Sequence, residues 1–292
     1  TRICDLLNTL LGGKTIEPVQ VDRDILNLFE KQGPHLSFTT DEIKRARAGL
    51  IKLGIPEGAK WVYMIVRDSA KHPHLPYHSY RNTEIGDYVM AAEALAERGY
   101  YVVRMGKNVE KRMYPWRTRY NKIIDFPFYG ADHDRDLISA YLGAHCAFCL
   151  SSGTGPDAIP VIFRRPICYV NYVPLEYLQT YHRGSLAIWK HHEKDGKRMT
   201  VAEIVACGAG QFMRADQYEN EGITLVDNTP EEIKAVALEM AERGDNYFYM
   251  LDDEYLGQHP TRQEAFWTAF PRGVSEFNKR PLHGEIRMRI GA

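Results

Sequence analysis

The chain has 292 residues, 44% of them hydrophobic and 26% charged, and its 37 Lys and Arg against 38 Asp and Glu leave a net charge of −1. That composition excludes a disordered or fibrous chain, and the length allows one large domain or two modest ones. A near-neutral charge with no local Lys/Arg block excludes nucleic acid as a partner, and no apolar run approaches the roughly 20 residues that span a bilayer. The first residue is Thr1 rather than Met, which fits a trimmed chain or a piece of a longer one. Five scattered cysteines, an odd number, predict a reduced, cytoplasmic protein.

Thr39 and Glu42 form a capping box ahead of Ile43, Ala46 and Leu50, with Gly54 as the stop. The run 61–66 (WVYMIV) reads as a buried strand. Ile85, Tyr88, Val89, Ala92 and Leu95 recur at helical spacing up to Gly99. Strands are predicted at 100–106, Lys122–Asp125, Cys146–Leu150 and Ile167–Asn171, separated by helices at Arg135–Gly143 and Asp157–Arg164. Residues 172–222 read as an excursion, with a strand near Leu186–Trp189 and a helix capped by Thr200 and Glu203. ITLVDN (223–228) reads as a strand, and Thr229 and Glu232 cap a helix that stops at Gly244. Alternating strands and helices predict βαβ units, hence an α/β, Rossmann-like parallel sheet with helices on both faces. Cys146 and Cys149 have CxxC spacing, but no second pair or histidine cluster completes a metal site, so they read as core residues.

Ligands of such sheets bind outside the carboxyl ends of the strands. Three strand ends here carry polar residues that would meet there: 66–69, 103–106 and 150–157. SSGTGPD (151–157) combines glycines that admit a ligand close to the backbone, three hydroxyls and a following helix N-terminus, which together predict an anion site suited to a diphosphate. Arg67, at the end of the first strand, and Arg81 offer guanidinium forks that match phosphate oxygens, or they pair with carboxylates such as Asp68 or Asp87. Neither GxxxxGK nor GxGxxG is present, which argues against ATP hydrolysis and nicotinamide chemistry. His72, His74 and His78 lack metal-ligand spacing, and Arg104 reads as structural.

The order and wording of VRDSA–YHSYRN, GYYVVRMGK, SSGTGPDAIP, FRRPICYVNYVPLEY and ITLVDNTPEEI resemble the C-terminal donor-binding domain of B-fold, heptosyltransferase-like glycosyltransferases. More specifically they resemble a bacterial glycosyltransferase family of surface-polysaccharide gene sets, over roughly Leu36 to Gly244. The resemblance implies transfer of a sugar from a nucleotide-diphosphate donor, as substrate, to a glycan or lipid-linked glycan acceptor, with no metal or other cofactor, in the cytoplasm or at the inner face of the membrane. It places Ser152, Gly153, Thr154, Gly155 and Asp157 at the donor pyrophosphate or sugar, Arg67, Arg81, His78 and Asn82 at the leaving diphosphate, and Asn171 at donor sugar or base. It does not assign a base; the residues themselves offer Asp68, or a histidine such as His78. A B-fold transferase has two facing domains, so residues 1–57 read as a remnant of the acceptor side and 58–292 as the donor domain, with a second chain or a missing domain completing the cleft. The rival readings are a nucleotide-sugar epimerase or hydrolase of the same fold, and a non-catalytic nucleotide-sugar or glycan-binding module.

Overall fold

Short apolar runs rich in β-formers make the strands, and capped amphipathic segments make the helices that cover them. The computed structural model describes residues 28–70, 74–114, 120–130, 134–179, 184–245, 266, 268–269 and 289–290. The expected His72 and most of the segment after residue 246 lie outside them. Among the described residues the strands are β1 (Trp61–Ile65), β2 (Tyr101–Met105), β3 (Ile123–Asp125), β4 (Phe148–Ser151), β5 (Ile167–Tyr172), β6 (Leu186–Trp189), β7 (His191–Lys194), β8 (Lys197–Arg198), β9 (Ile223–Val226) and β10 (Arg289–Ile290). The helices that position them are α1 (Thr40–Lys52), α2 (Val89–Glu97), α3 (Arg135–His145), α4 (Ala158–Ile162), α5 (Val201–Ala206), α6 (Ala215–Asn220) and α7 (Pro230–Asp245).

Seven strands form one parallel sheet in the order β10-β6-β5-β4-β1-β2-β3. Read from its other edge this contains the doubly wound order 3-2-1-4-5-6, so the fold is Rossmann-like, as expected. Alternation along β1 sends Trp61, Tyr63 and Ile65 to one face, where they join Ala46 and Leu50 of α1 and Ile138 and Leu142 of α3. Val62 and Met64 go to the other face, with Ala91 and Leu95 of α2 and Ile233, Val236 and Met240 of α7. Helix α1, which precedes residue 58, thus packs into the core of the sheet and not into a separate body. Capping boxes at Thr39/Glu42 and Thr229/Glu232 hold the starts of α1 and α7.

The 172–222 excursion contributes β6 to the main sheet, so Asn171 is not on its last strand. The same excursion starts a second, antiparallel sheet of order β8-β7-β9. Asp195 (φ 53°) and Gly196 (φ 72°) form the two-residue hairpin between β7 and β8, the positive-φ pair that a tight hairpin requires.

A helix end buried in a core must find partners for its last four carbonyls. Helix α3 does so with side chains. His145 Nδ1 lies 3.0 Å from Tyr141 O, Trp61 Nε1 donates to Leu142 O at 2.9 Å, Cys146 Sγ to Gly143 O at 3.2 Å, and Arg165 Nε to Ala144 O at 2.8 Å. Cys146 therefore precedes β4 and is not part of it. It shares one core cluster with Cys149, and burial pushes its thiol up to about 12. Both cysteines are core residues, as expected.

Trp61→Phe keeps the ring in the core but strands the buried Leu142 carbonyl. It should lower unfolding free energy by about 1–3 kcal/mol, read by urea denaturation. An unchanged midpoint would show that water replaces the indole.

Candidate functional site

β1 is paired with β2 on one edge and with β4 on the other. The chain therefore leaves the sheet in opposite directions on either side of it, which opens a crevice at the carboxyl ends of β1 and β4. The two ends are stitched together: Ser152 N donates to Ile65 O at 3.3 Å, and Arg67 N donates to Ser152 Oγ at 3.0 Å. The sequence-predicted Arg67 and the 151–157 loop thus meet at one place.

Arg81 and Asn82 reach the same crevice from a 3-10 turn, Pro76–Arg81. Three contacts pin that turn. Thr83 N donates to Arg67 O at 3.0 Å, Lys190 Nζ donates to Asn82 O at 2.6 Å, and Arg81 Nη2 donates to Gly153 O. Lys190 is 4% exposed and also pairs with Asp227 at 2.7 Å. Burial pulls its pKa down, and Asp227 opposes that shift.

Arg67 and Arg81 are close enough for each guanidinium to act on the other. Burial, then the charge of Arg81, pull the Arg67 pKa below its ordinary value. Among the described residues, Arg67 Nε and Arg81 Nε are buried with no hydrogen-bond partner, as is the hydroxyl of Tyr80. Tyr80 feels both arginines electrostatically, while burial raises its pKa. Beside them Arg81, Gly153, Thr154, Gly155 and Asp157 line a pocket of about 350 Å³ whose far wall carries Tyr169 and Tyr172. Two neighbouring cations with unspent donors make a site for an anion with several oxygens.

The loop itself is built differently from the expectation. Ser151 and Ser152 are buried, so their hydroxyls face the protein and not a ligand. Ser151 Oγ donates to Asp157 Oδ1 at 2.6 Å and accepts from Gly153 N at 3.0 Å, and Thr154 N donates to Asp157 Oδ2 at 2.7 Å. The Asp157 carboxylate occupies the turn and takes up the Ser151 hydroxyl and the Thr154 N–H, while the Thr154 hydroxyl is buried without a hydrogen-bond partner among the described residues. A Cβ on Gly153 (φ +75°) would lie 2.7 Å from Tyr172 Cε2. The close approach this glycine permits is thus to a tyrosine ring. Anion recognition therefore rests on the arginines, with the Thr154 hydroxyl beside Arg81 as a loop donor left over.

Two further expectations are corrected by geometry. Asp68 does not pair with Arg67 or Arg81. Its carboxylate accepts from Ala70 N at 3.1 Å and Glu110 N at 2.9 Å and lies 3.9 Å from Arg104, with its side chain 15% exposed. Arg104, 1% exposed, also bonds Asp125 at 3.1 Å and Lys111 O at 2.6 Å, the structural role read from the sequence. A carboxylate engaged in this way is poorly placed to take a proton from an acceptor. Asn171 is fully buried (φ 53°), accepting from Asn228 N at 2.5 Å and donating to Tyr88 OH at 3.2 Å, while its own N–H donates to Asn228 Oδ1 at 2.7 Å. It clasps β5 to the segment after β9, its side-chain amide engaged by Asn228 and Tyr88. His78 lies on the same turn as Arg81, its ring against Tyr77 at 4.3 Å.

The sequence assigns no site role to Tyr80, Lys190, Asp227 or Asn228, although Tyr80 lies within YHSYRN and Asp227 and Asn228 within ITLVDNTPEEI. Lys190, a lone cation directly after an apolar strand, leaves a trace in the sequence. Among the described residues no group of three or more His, Cys, Asp or Glu side chains is arranged to hold a metal ion, and no helix is long and apolar enough to cross a membrane. Comparison with known proteins returns no matching family, no matching curated protein and no matching solved structure.

Burial raises the Asp157 pKa from 3.8 to about 6 against the pull of its hydrogen bonds. A carboxyl that binds its proton more tightly when folded stabilises the fold below its unfolded value. That contribution is lost as pH rises through the folded one, here between 3.8 and about 6, with a slope of up to about 1.4 kcal/mol per pH unit. Asp157→Asn should flatten this fall, whatever constant offset the lost acceptor adds; thermal denaturation across the window reads it. Asp68→Ala should cost about 1–3 kcal/mol by stranding two backbone donors and weakening the hold on Arg104. A variant of undiminished stability would return Asp68 to the candidates for base.

Proposed function

We propose that this chain binds a nucleotide-diphosphate sugar at the β1/β4 crevice and transfers the sugar to a glycan acceptor during surface-polysaccharide assembly, working in the cytoplasm or at the inner face of the membrane. The observation that carries this reading is the pair Arg67 and Arg81, both with buried Nε donors that no described residue accepts, at the switch point of a Rossmann-like sheet. A diphosphate supplies the oxygens both lack. The resemblance to donor-binding domains of B-fold transferases supports the same reading.

As the glycosidic bond to the donor breaks, negative charge accumulates on the departing diphosphate, and guanidinium forks fixed beforehand stabilise it without reorganising. Arg81 is fixed by Gly153 O and by the pinned turn behind it. The aromatic wall of Tyr169 and Tyr172 offers the apolar face that a sugar or base packs on. With Asp68 engaged elsewhere, His78 is the proposed acceptor of the hydroxyl proton, on the same turn as Arg81. The engagement of Asp68 also favours a second reading, a module that binds the nucleotide sugar without turning it over.

Titration with UDP, GDP, ADP and TDP tests the site. At least one should bind, and Arg81→Gln and Arg67→Gln should each weaken it about tenfold or more, since a charge-assisted hydrogen bond contributes about 1.5–3 kcal/mol. Arg81→Lys should fall between, keeping the charge and losing the fork. Failure of all four to bind, or unchanged affinity in both glutamine variants, would overturn the site. Turnover of the sugar form without an acceptor would select the epimerase or hydrolase, and binding without turnover the module.

A further inference from the structure

A second cavity, of about 790 Å³ and apart from the β1/β4 crevice, lies at the opposite end of the strands, where the amino ends of β1 and β4 meet α1 and the C-terminus of α3. Its volume falls in the range of small-molecule sites, and its lining has a division of labour typical of them. Apolar surface comes from Ile55 and Trp61, which are buried, and from Ile51, which is 66% exposed at the rim. A large β-branched side chain left that open, beside a concave apolar surface, is a contact without an occupant.

The charge on the walls is one-sided. Among the described residues, Lys44, Arg47 and Arg165 line the cavity with one carboxylate, Glu57, which Arg47 meets at 3.5 Å with both side chains largely exposed. An exposed pair of that kind contributes little, so Glu57 does not cancel the field of these cations. The field is felt inside the wall as well: burial holds the His145 pKa down, and the charges of Arg165 and Arg47 push it the same way. Arg165 is held in place by its bond to Ala144 O, and Trp61 by its bond to Leu142 O. Arg165 and the Trp61 ring are therefore fixed before any ligand arrives.

We propose that this cavity is a second binding site, separate from the β1/β4 crevice, for an amphipathic anion: a molecule with an apolar body seated on Ile51, Ile55 and Trp61 and a phosphate or carboxylate head met by Lys44 and Arg47. Neither half alone suffices. Inorganic phosphate lacks the body, and a neutral alcohol leaves the cations without a counter-charge.

Octyl phosphate, octanol and inorganic phosphate, each titrated into the full chain and kept below any micelle-forming concentration, separate the contributions. Octyl phosphate should saturate one site per chain, with octanol and phosphate at least tenfold weaker. Lys44→Gln with Arg47→Gln, both on the exposed face of α1, should weaken octyl phosphate fivefold or more. Ile51→Glu, at the exposed rim, should weaken it at least as much. Absence of saturable binding, equal binding of octanol or phosphate, or indifference to these variants would overturn the proposal. So would loss of octyl phosphate binding in Arg81→Gln, because that would put the anion in the first site; failure of the nucleoside diphosphates to bind would leave this result unaffected.

Discussion

Hydrogen bonding of β1 on both edges is the constraint from which the candidate site follows. Because β2 and β4 both run parallel to it, the connections leave to opposite sides, which opens a crevice at the carboxyl end between them. The backbone of Arg67 and the hydroxyl of Ser152 meet there directly. What would otherwise be two independent loops becomes one rigid lip, and the guanidinium of Arg67 is delivered to it without a long flexible approach.

Onto that lip the protein brings a second cation, which is electrostatically unfavourable in the absence of a ligand. The cost is visible in the lowered pKa of Arg67, driven by burial and by Arg81. Structural arginines in this chain look different: Arg104 is buried yet flanked by Asp68 and Asp125, as a buried cation must be. Among the described residues no carboxylate lies within salt-bridge distance of Arg67 or Arg81, and Asp68 and Asp157 act on them only at longer range. The contrast between the arginine paired with two carboxylates and the pair without a salt bridge is the physical reason to place the anion at one and not the other.

Rigidity on both edges of the sheet comes from side chains spent on backbone. Lys190 holds Asn82 O, Asn171 and Asn228 clasp each other's amides, and four side chains close the end of α3. Lys190, Asn171, Asn228, Trp61 and Cys146 are buried and matched, which makes them informative about packing and silent about ligands. Among the buried groups of the described residues that lack a hydrogen-bond partner, Arg67 Nε, Arg81 Nε, Tyr80 OH and Thr154 Oγ1 belong to the crevice and its loop, while others, Arg104 Nε and His192 Nε2 among them, lie elsewhere.

The parallel α/β architecture was legible in the residues themselves, because a strand's buried run and a helix's capping box are set by neighbours within about four positions. WVYMIV became β1, Thr39 with Glu42 started α1, and Thr229 with Glu232 started α7. The meeting of Arg67 with the 151–157 loop was legible too, since strand ends of a parallel sheet converge. The partners of the polar side chains were not. Asp68 went to Arg104, 36 positions on, and Asn171 to Asn228, 57 positions on, while Asp157 turned the hydroxyl-rich loop inward. A carboxylate or amide has the same chemistry whether it faces a ligand or a backbone N–H. Which one it meets is decided by long-range packing that buries some groups together and leaves others open, and only the tertiary structure contains that decision.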